Sequence, residues 1–193
     1  MTRIVTILTE GFADWETALL NAVGRSYYGF ETLYATPDGQ PVTSSGGLRV
    51  TPDLALSDLD PAATDALIVC GGSAWEQPDA PDVTAALRAM HSAGKIVAAI
   101  CAGTLQMAKA GLLDGIAHTS NAPGFLDQTG YAGASHYRDG ASAVLANRVV
   151  TAAGTSPVSF MERVMAALGH SDDNLAYYLG LHAAQFGAQK LAA

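Results

Sequence analysis

Lys95-Ile96-Val97-Ala98-Ala99-Ile100-Cys101-Ala102-Gly103-Thr104 is the stretch on which the fold turns. Its first six residues are the most apolar run in the chain, which predicts a strand buried on both faces. Ala102 to Ala110 then reads as a helix, with Gly111 as its C-terminal stop. One residue, Cys101, is left to make the corner. A residue at such a corner is held in a strained backbone conformation with its side chain projecting from the carboxyl edge of the sheet. Ala99, Ala102 and Gly103 supply the small neighbours that a close strand–helix approach requires. The helix start beneath the sulfur adds free N–H groups and partial positive charge, which leads to the expectation of a thiolate-favouring site. The plainer alternative is an inert buried thiol.

Working outward, strands alternate with helices. Arg3–Thr9 predicts a buried strand and Asp14–Arg25 a helix, with Asp14 as N-cap and Trp15, Ala18, Leu19, Ala22 and Val23 as its apolar face. Phe30–Ala35 and Asp65–Cys70 predict two further strands. The turn-rich stretch from Thr36 to Pro52 predicts a hairpin excursion at the sheet edge. Pro81–Ala93 is a helix ended by Gly94. Ile116–Ser120 predicts a strand, followed by an irregular Gly-rich segment to Gly140 and short strands near Ala141–Leu145 and Arg148–Ala152. Ser156-Pro157 opens a helix to Leu168, and a tail helix is expected over Asp173–Leu191. The alternation implies an α/β fold, a mostly parallel sheet with helices on both faces, and a single domain over residues 1–193.

Composition narrows the function. Apolar residues make up 49% of the 193 and charged residues 15%, an ordered globular balance. A formal net charge of −8 and no Lys/Arg run argue against nucleic acid as a partner. No apolar stretch is long enough for a membrane span or a signal peptide, so a cytoplasmic protein with two reduced thiols, Cys70 and Cys101, is expected. No metal-ligand spacing, no dinucleotide fingerprint and no phosphate-binding Lys loop occurs, so no metal and no cofactor are expected.

Other residues converge on Cys101. Gly71-Gly72 ends the neighbouring strand at the same edge, and its amides, with that of Ala102, form a candidate oxyanion hole. Glu16, in the first turn of the first helix, is a candidate to exchange a proton with the sulfur. Trp75 either caps the site or packs on the surface, and Trp15 is expected in the core or as a pocket wall. His136 and His118 are pocket candidates against the alternative of ordinary hydrogen-bonded histidines.

Taken in order, Glu10-Gly11-Phe12-Ala13-Asp14-Trp15-Glu16, Ile68-Val69-Cys70-Gly71-Gly72, Val97-Ala98-Ala99-Ile100-Cys101-Ala102-Gly103 and Thr151-Ala152-Ala153-Gly154-Thr155-Ser156 resemble the ThiJ/PfpI superfamily over roughly residues 3 to 170. That superfamily includes the Parkinsonism-associated deglycase, intracellular proteases and isocyanide hydratases, and is related to class I glutamine amidotransferase domains. The resemblance implies a flavodoxin-like three-layer sandwich and a homodimer. It also implies Cys101 as nucleophile, Glu16 as its carboxyl partner, and Gly72 and Ala102 as oxyanion donors. Two departures bear on activity. Protease and amidase members often carry a His directly after the nucleophile, where this chain has Ala102. Deglycase members carry a His shortly after a Thr-Thr pair, where His118-Thr119-Ser120-Asn121 places Asn121. A glutamine-amidotransferase activity would need a late His-Glu pair, and Glu162 has no His at the right spacing. The expectation is a cysteine-dependent enzyme acting on a small electrophilic substrate, of glyoxalase, deglycase or small-amide hydrolase type. The alternative is a redox sensor or stress-response protein that works through oxidation of Cys101.

Overall fold

The computed structural model describes residues 1–187. Strands β1 (Arg3–Ile7), β2 (Glu31–Thr36), β5 (Leu54–Ala55), β6 (Ala66–Val69), β7 (Ile96–Ile100), β8 (Val144–Ala146) and β9 (Val149–Ala152) form one sheet in the order β5-β2-β1-β6-β7-β9-β8. Every pairing is parallel except β8 with β9. A separate two-stranded hairpin, β3 (Val42–Thr43) with β4 (Arg49–Val50), is the excursion expected between Thr36 and Pro52. The helices are α1 (Asp14–Tyr28), α2 (Thr84–Ser92), α3 (Thr104–Lys109), α4 (Pro157–Ala167) and α5 (Asp173–Gly187). The expected tail-helix residues 188–191 lie outside the described residues.

The central strands are apolar on both faces because both faces are covered. Val5, Ile7, Leu67, Val69, Val97 and Ala99 point to one side, where they meet Leu87 and Met90 of α2 and Leu105 of α3. Their chain neighbours Ile4, Ile68, Ala98 and Ile100 point to the other, against Leu20 and Val23 of α1 and Phe160, Val164 and Met165 of α4. This period of two across the sheet makes the three layers.

The structure corrects several expectations. Ile116–Ser120 is not a strand: it makes one isolated bridge, His118 with Tyr137. The Thr151 hydroxyl of β9 accepts the Thr119 N–H at 2.9 Å, so a side chain stands in for the ladder. The buried stripe of α1 is Glu16, Thr17, Leu20, Asn21, Val23 and Gly24, so the apolar positions Trp15, Ala18 and Ala22 face outward. Polar residues can occupy that stripe because the sheet offers them partners. The Thr6 hydroxyl donates to Asn21 Oδ1 at 3.2 Å, and the Thr17 hydroxyl donates to Cys70 Sγ at 3.5 Å. Asp14 is the first helical residue, not the N-cap. Its carboxylate accepts from the Ser44 hydroxyl and from the Gly46 N–H at 2.8 Å, tying the β3–β4 turn to α1. Ser156 is the N-cap residue of α4 with Pro157 behind it, but its hydroxyl donates to Ala141 O at 2.7 Å rather than to the helix.

Candidate active site

The chain direction changes neighbours at β1, which pairs with β2 on one side and β6 on the other. Ligand crevices in open α/β sheets lie outside the carboxyl ends of the strands at such a point. Here the segments leaving β1, β6, β7 and β9, four consecutive strands of the sheet, deliver Glu16, Gly71-Gly72, Cys101 and Gly154 to one place.

Cys101 follows Ile100 of β7 and has φ 57°, the left-handed region. For a residue with a Cβ this costs of order 1–3 kcal/mol, borne by the well-packed strand before it. The Thr104 hydroxyl donates to the Cys101 carbonyl at 2.5 Å and so closes the corner. Residues Cys101–Gly103 form a single 3-10 turn before α3, which has only six residues. The sulfur is partly exposed, whereas Cys70 is fully buried, and both thiols are free.

The sulfur touches three groups. Asn121 Nδ2 donates to Sγ at 3.3 Å. The Ala102 N–H also hydrogen-bonds to the sulfur, and the Glu16 carboxyl adjoins it. Glu16 itself is 1% exposed. Its Oε2 accepts the Gly71 N–H at 2.8 Å, while Oε1 is buried without a partner of regular geometry. Oε1 lies on the sulfur side: a methyl group placed on Gly154 would sit 2.9 Å from both Oε1 and Cys101 Sγ. Contacts of this kind commonly tighten only when a substrate is bound. Gly71 closes the pair from the other direction, since a methyl there would lie 2.5 Å from Cys101 Cβ and would overlap Glu16 Oε2. Any side chain at either glycine would push sulfur and carboxyl apart.

Burial raises the Glu16 pKa from 4.5 to about 7, against the lowering effect of the adjoining Cys101 thiol and of the Gly71 N–H hydrogen bond. Burial also pushes the Cys101 thiol up to about 11. The Asn121 and Ala102 hydrogen bonds oppose that rise, and the Glu16 charge and hydrogen bond add to it. The expectation of a thiolate favoured by the helix start is therefore corrected. The helix is too short and the sulfur too enclosed for the dipole to win. Glu16 decides the matter instead. Protonating the carboxyl removes both of its unfavourable effects on the sulfur and leaves the Asn121 and Ala102 N–H groups to hold a negative charge. The pair thus passes from two protons to one near 7 and holds that single proton between its two sites up to about 11.

Other candidates fall elsewhere. His118 is fully buried, with Nδ1 on Ile116 O at 2.9 Å and Nε2 on the Tyr131 hydroxyl at 3.2 Å, so both ring nitrogens are spent on structure. Burial lowers its pKa, keeping it neutral. The His136 ring makes no hydrogen bond to Cys101, Glu16 or Asn121 among the described residues. Its backbone carbonyl accepts from His118 N at 3.4 Å. Trp75 is neither a cap nor a surface residue: it is buried, and its indole N–H donates to Cys70 O at 2.7 Å beneath the Gly71-Gly72 turn. Gly72 backs onto Phe12, where a methyl would come within 3.0 Å of the Phe12 Cα. Its own N–H donates no hydrogen bond among the described residues.

One residue acquires a place that sequence reasoning did not assign: Gly154 sits against the sulfur and carboxyl. Of the two readings of Trp15, core or pocket wall, the core one is corrected: Trp15 is 57% exposed, with its indole N–H on Gly154 O at 3.1 Å. Gly154 N–H in turn donates to Asn121 Oδ1 at 3.0 Å. The Gly in Ala153-Gly154-Thr155 was the available signal for the place of Gly154. Nothing in the local pattern distinguished an exposed Trp15 from a core one.

Residues 2–167 match the profile of the DJ-1/PfpI family. The chain belongs to that family. The DJ-1 superfamily protein Atu0886 of Agrobacterium tumefaciens superimposes with a TM-score of 0.92 at 43% identity, over 96% of this chain and 100% of that one. The uncharacterized protease YoaZ of Bacillus subtilis is 32% identical, over 86% of this chain and 83% of its own length. A more distant relative, the deglycase TK1284 of Thermococcus kodakarensis, is 32% identical over 61% of this chain and 71% of its own. The seven-stranded, mostly parallel sheet between helical layers is thus a DJ-1/PfpI fold, as the motif resemblance implied. No helix among the described residues is long and apolar enough to cross a membrane.

Proposed function

We propose that the protein is a cysteine-dependent enzyme acting on small carbonyl compounds, with glyoxal-type ketoaldehydes as the substrate class. The observation that carries this reading is a partly exposed sulfur held by Asn121 and adjoining a buried carboxyl whose pKa is about 7. In the reaction, the Cys101 thiolate adds to the aldehyde carbon, and the carbonyl π electrons move onto oxygen. The N–H groups of Ala102 and Gly72 stabilise that oxyanion, and Glu16 supplies its proton, giving a thiohemiacetal. Glu16, now a carboxylate, takes the proton from the former aldehyde carbon, leaving an enediolate, and returns it to the adjacent carbon that bore the ketone, while the hydroxyl proton on the former aldehyde oxygen passes to the neighbouring oxygen. The product is a thioester of a 2-hydroxy acid. Water then cleaves the carbon–sulfur bond, restoring the thiol and releasing the acid, so that ketoaldehyde plus water balances the product.

A single proton carrier suffices for every step before water enters. Asn121, which occupies the position of the deglycase-type His, holds the sulfur but accepts no proton. That favours carbonyl addition and rearrangement over amide hydrolysis, where a leaving amine and a water both need proton transfer. The name of the relative TK1284 agrees with carbonyl chemistry.

The test is to incubate the purified protein with methylglyoxal and, separately, with simple primary amides, following products by proton NMR. Lactate from methylglyoxal with no amide turnover is the expected result. No turnover of either, combined with selective gain of two oxygens on Cys101 under mild peroxide, would replace the enzyme with a redox sensor.

A further inference from the structure

A second cavity lies between α2 and α3, outside the site described above. Its volume is about 200 Å³, and its walls are Ala80, Pro81, Asp82, Thr84, Gln106 and Lys109. None of the groups that touch the Cys101 sulfur is among them. Roughly six waters would fill that volume, so it takes a ligand of about five to eight non-hydrogen atoms.

Gln106 distinguishes this cavity from a surface groove. Its side chain is 1% exposed, and neither Nε2 nor Oε1 has a hydrogen-bond partner among the described residues. Asn21 and Glu16 also leave one buried polar atom unbonded, but each bonds the other, to Thr6 and to the Gly71 N–H. A primary amide has two N–H donors and an acceptor oxygen. Leaving all of them unbonded in the interior is a standing cost to folding that a leucine would avoid. Gln106 and Lys109 are three residues apart on α3, hence on one face, and both line the cavity. The unbonded amide is therefore turned toward it.

The ionic groups of the lining are one of each sign. Lys109 makes no ion pair among the described residues. Asp82 Oδ1 accepts the Thr84 N–H at 2.8 Å. Hydrogen bonds from Thr84 hold the Asp82 carboxyl below its ordinary range, and the charges of Arg88 and Lys109 add to that, so Lys109 and Asp82 stand near enough to feel each other. A ligand that was only an anion would be opposed by Asp82, and one that was only a cation by Lys109. A ligand bearing both charges meets a partner for each. The Gln106 amide matches such a ligand, since it donates and accepts from adjacent atoms.

We propose that this cavity binds a small free α-amino acid, of the size of glycine or alanine. Lys109 and Gln106 Nε2 hold its carboxylate, and Asp82 and Gln106 Oε1 hold its ammonium group. The site is independent of the carbonyl-enzyme reading, because no group of the catalytic centre takes part.

The experiment titrates glycine, acetate and methylamine separately into the full-length, isotope-labelled protein and follows the backbone amides by NMR. Glycine should give saturable shifts at Asp82, Thr84, Gln106 and Lys109. Acetate and methylamine each keep one charge and lose the other, and should bind at least about tenfold more weakly, the scale of losing hydrogen bonds to a charged group. Gln106→Leu should weaken glycine at least about tenfold. Lys109→Met, a change at an exposed position, should weaken glycine and acetate to a similar degree and spare methylamine. Acetate binding as tightly as glycine would reduce the site to a lysine with its counter-ion and overturn the proposal. No saturable shift at these residues, or shifts centred on Cys101, would overturn it too. So would an unchanged glycine affinity in Gln106→Leu, which would leave the amide serving only bound water. If Gln106→Leu does not fold, Lys109→Met decides, and an unchanged glycine affinity in that variant is equally fatal.

Discussion

Replacing Cys101 by Ser is expected to lower turnover of a ketoaldehyde by at least about a thousandfold, because removing a nucleophile disables the whole unit acting with it. The hydroxyl nearly matches the thiol in shape, and the corner at φ 57° is retained. Folding should therefore be little affected, with the melting temperature within a few degrees of the parent. Chemically the swap is severe. Serine ionises far less readily than a thiol, and Glu16, titrating near 7, is too weak a base to compensate. The control is Cys70→Ser. Cys70 is fully buried, its thiol is pushed up to about 12 chiefly by burial, and it spends its hydrogen bonds on Thr17 and the Ala13 carbonyl. That variant should keep its activity. Activity in Cys101→Ser, or its loss in a folded Cys70→Ser, would show that the wrong sulfur has been chosen.

Replacing Glu16 by Gln is expected to cost about a hundred- to ten-thousandfold in turnover, the range for losing a positioned acid–base group. The same substitution should stabilise the protein above neutral pH. The sign follows from the shift: the folded-state pKa, about 7, lies above the ordinary 4.5. The folded protein therefore binds more protons than the unfolded chain between those values. The stability contributed by the protonated carboxyl is fully present below about 4.5 and is lost as pH rises through 7. Gln is neutral throughout, and its side-chain oxygen can still accept the Gly71 N–H. At pH 8 the variant should melt higher than the parent, and at pH 4 the difference should vanish. A variant that loses activity and also melts lower at pH 8 would mean that Glu16 is a structural residue.

The α/β alternation, the corner at Cys101 and the approach of Glu16 and Gly71 to it were legible in the sequence because each follows from strand direction. Parallel strands send their carboxyl ends to one edge, so residues just after β1, β6 and β7 must meet there. What was not legible depends on side-chain direction and on partners distant in sequence. Trp15 and Ala18 have the apolar character of a core face, yet α1 turns Glu16, Thr17 and Asn21 inward, because Thr6, Cys70 and the Gly71 amide are there to bond them. Thr119 was expected in a ladder that the Thr151 hydroxyl replaces. The thiolate expectation weighed a helix dipole without the burial of the sulfur, a quantity only the folded structure contains.

The account stands on one proton being shared between Cys101 and Glu16, and the direct measurement is the pH dependence of Cys101 alkylation by iodoacetamide in the parent protein and in Glu16→Gln. In the parent, the rate should rise through a step near pH 7, reach a plateau as the pair holds its single proton, and rise again toward 11. In Glu16→Gln the step near 7 should disappear, leaving one thiol ionisation. A single step at the same pH in both proteins would mean that sulfur and carboxyl titrate independently, and would contradict the account.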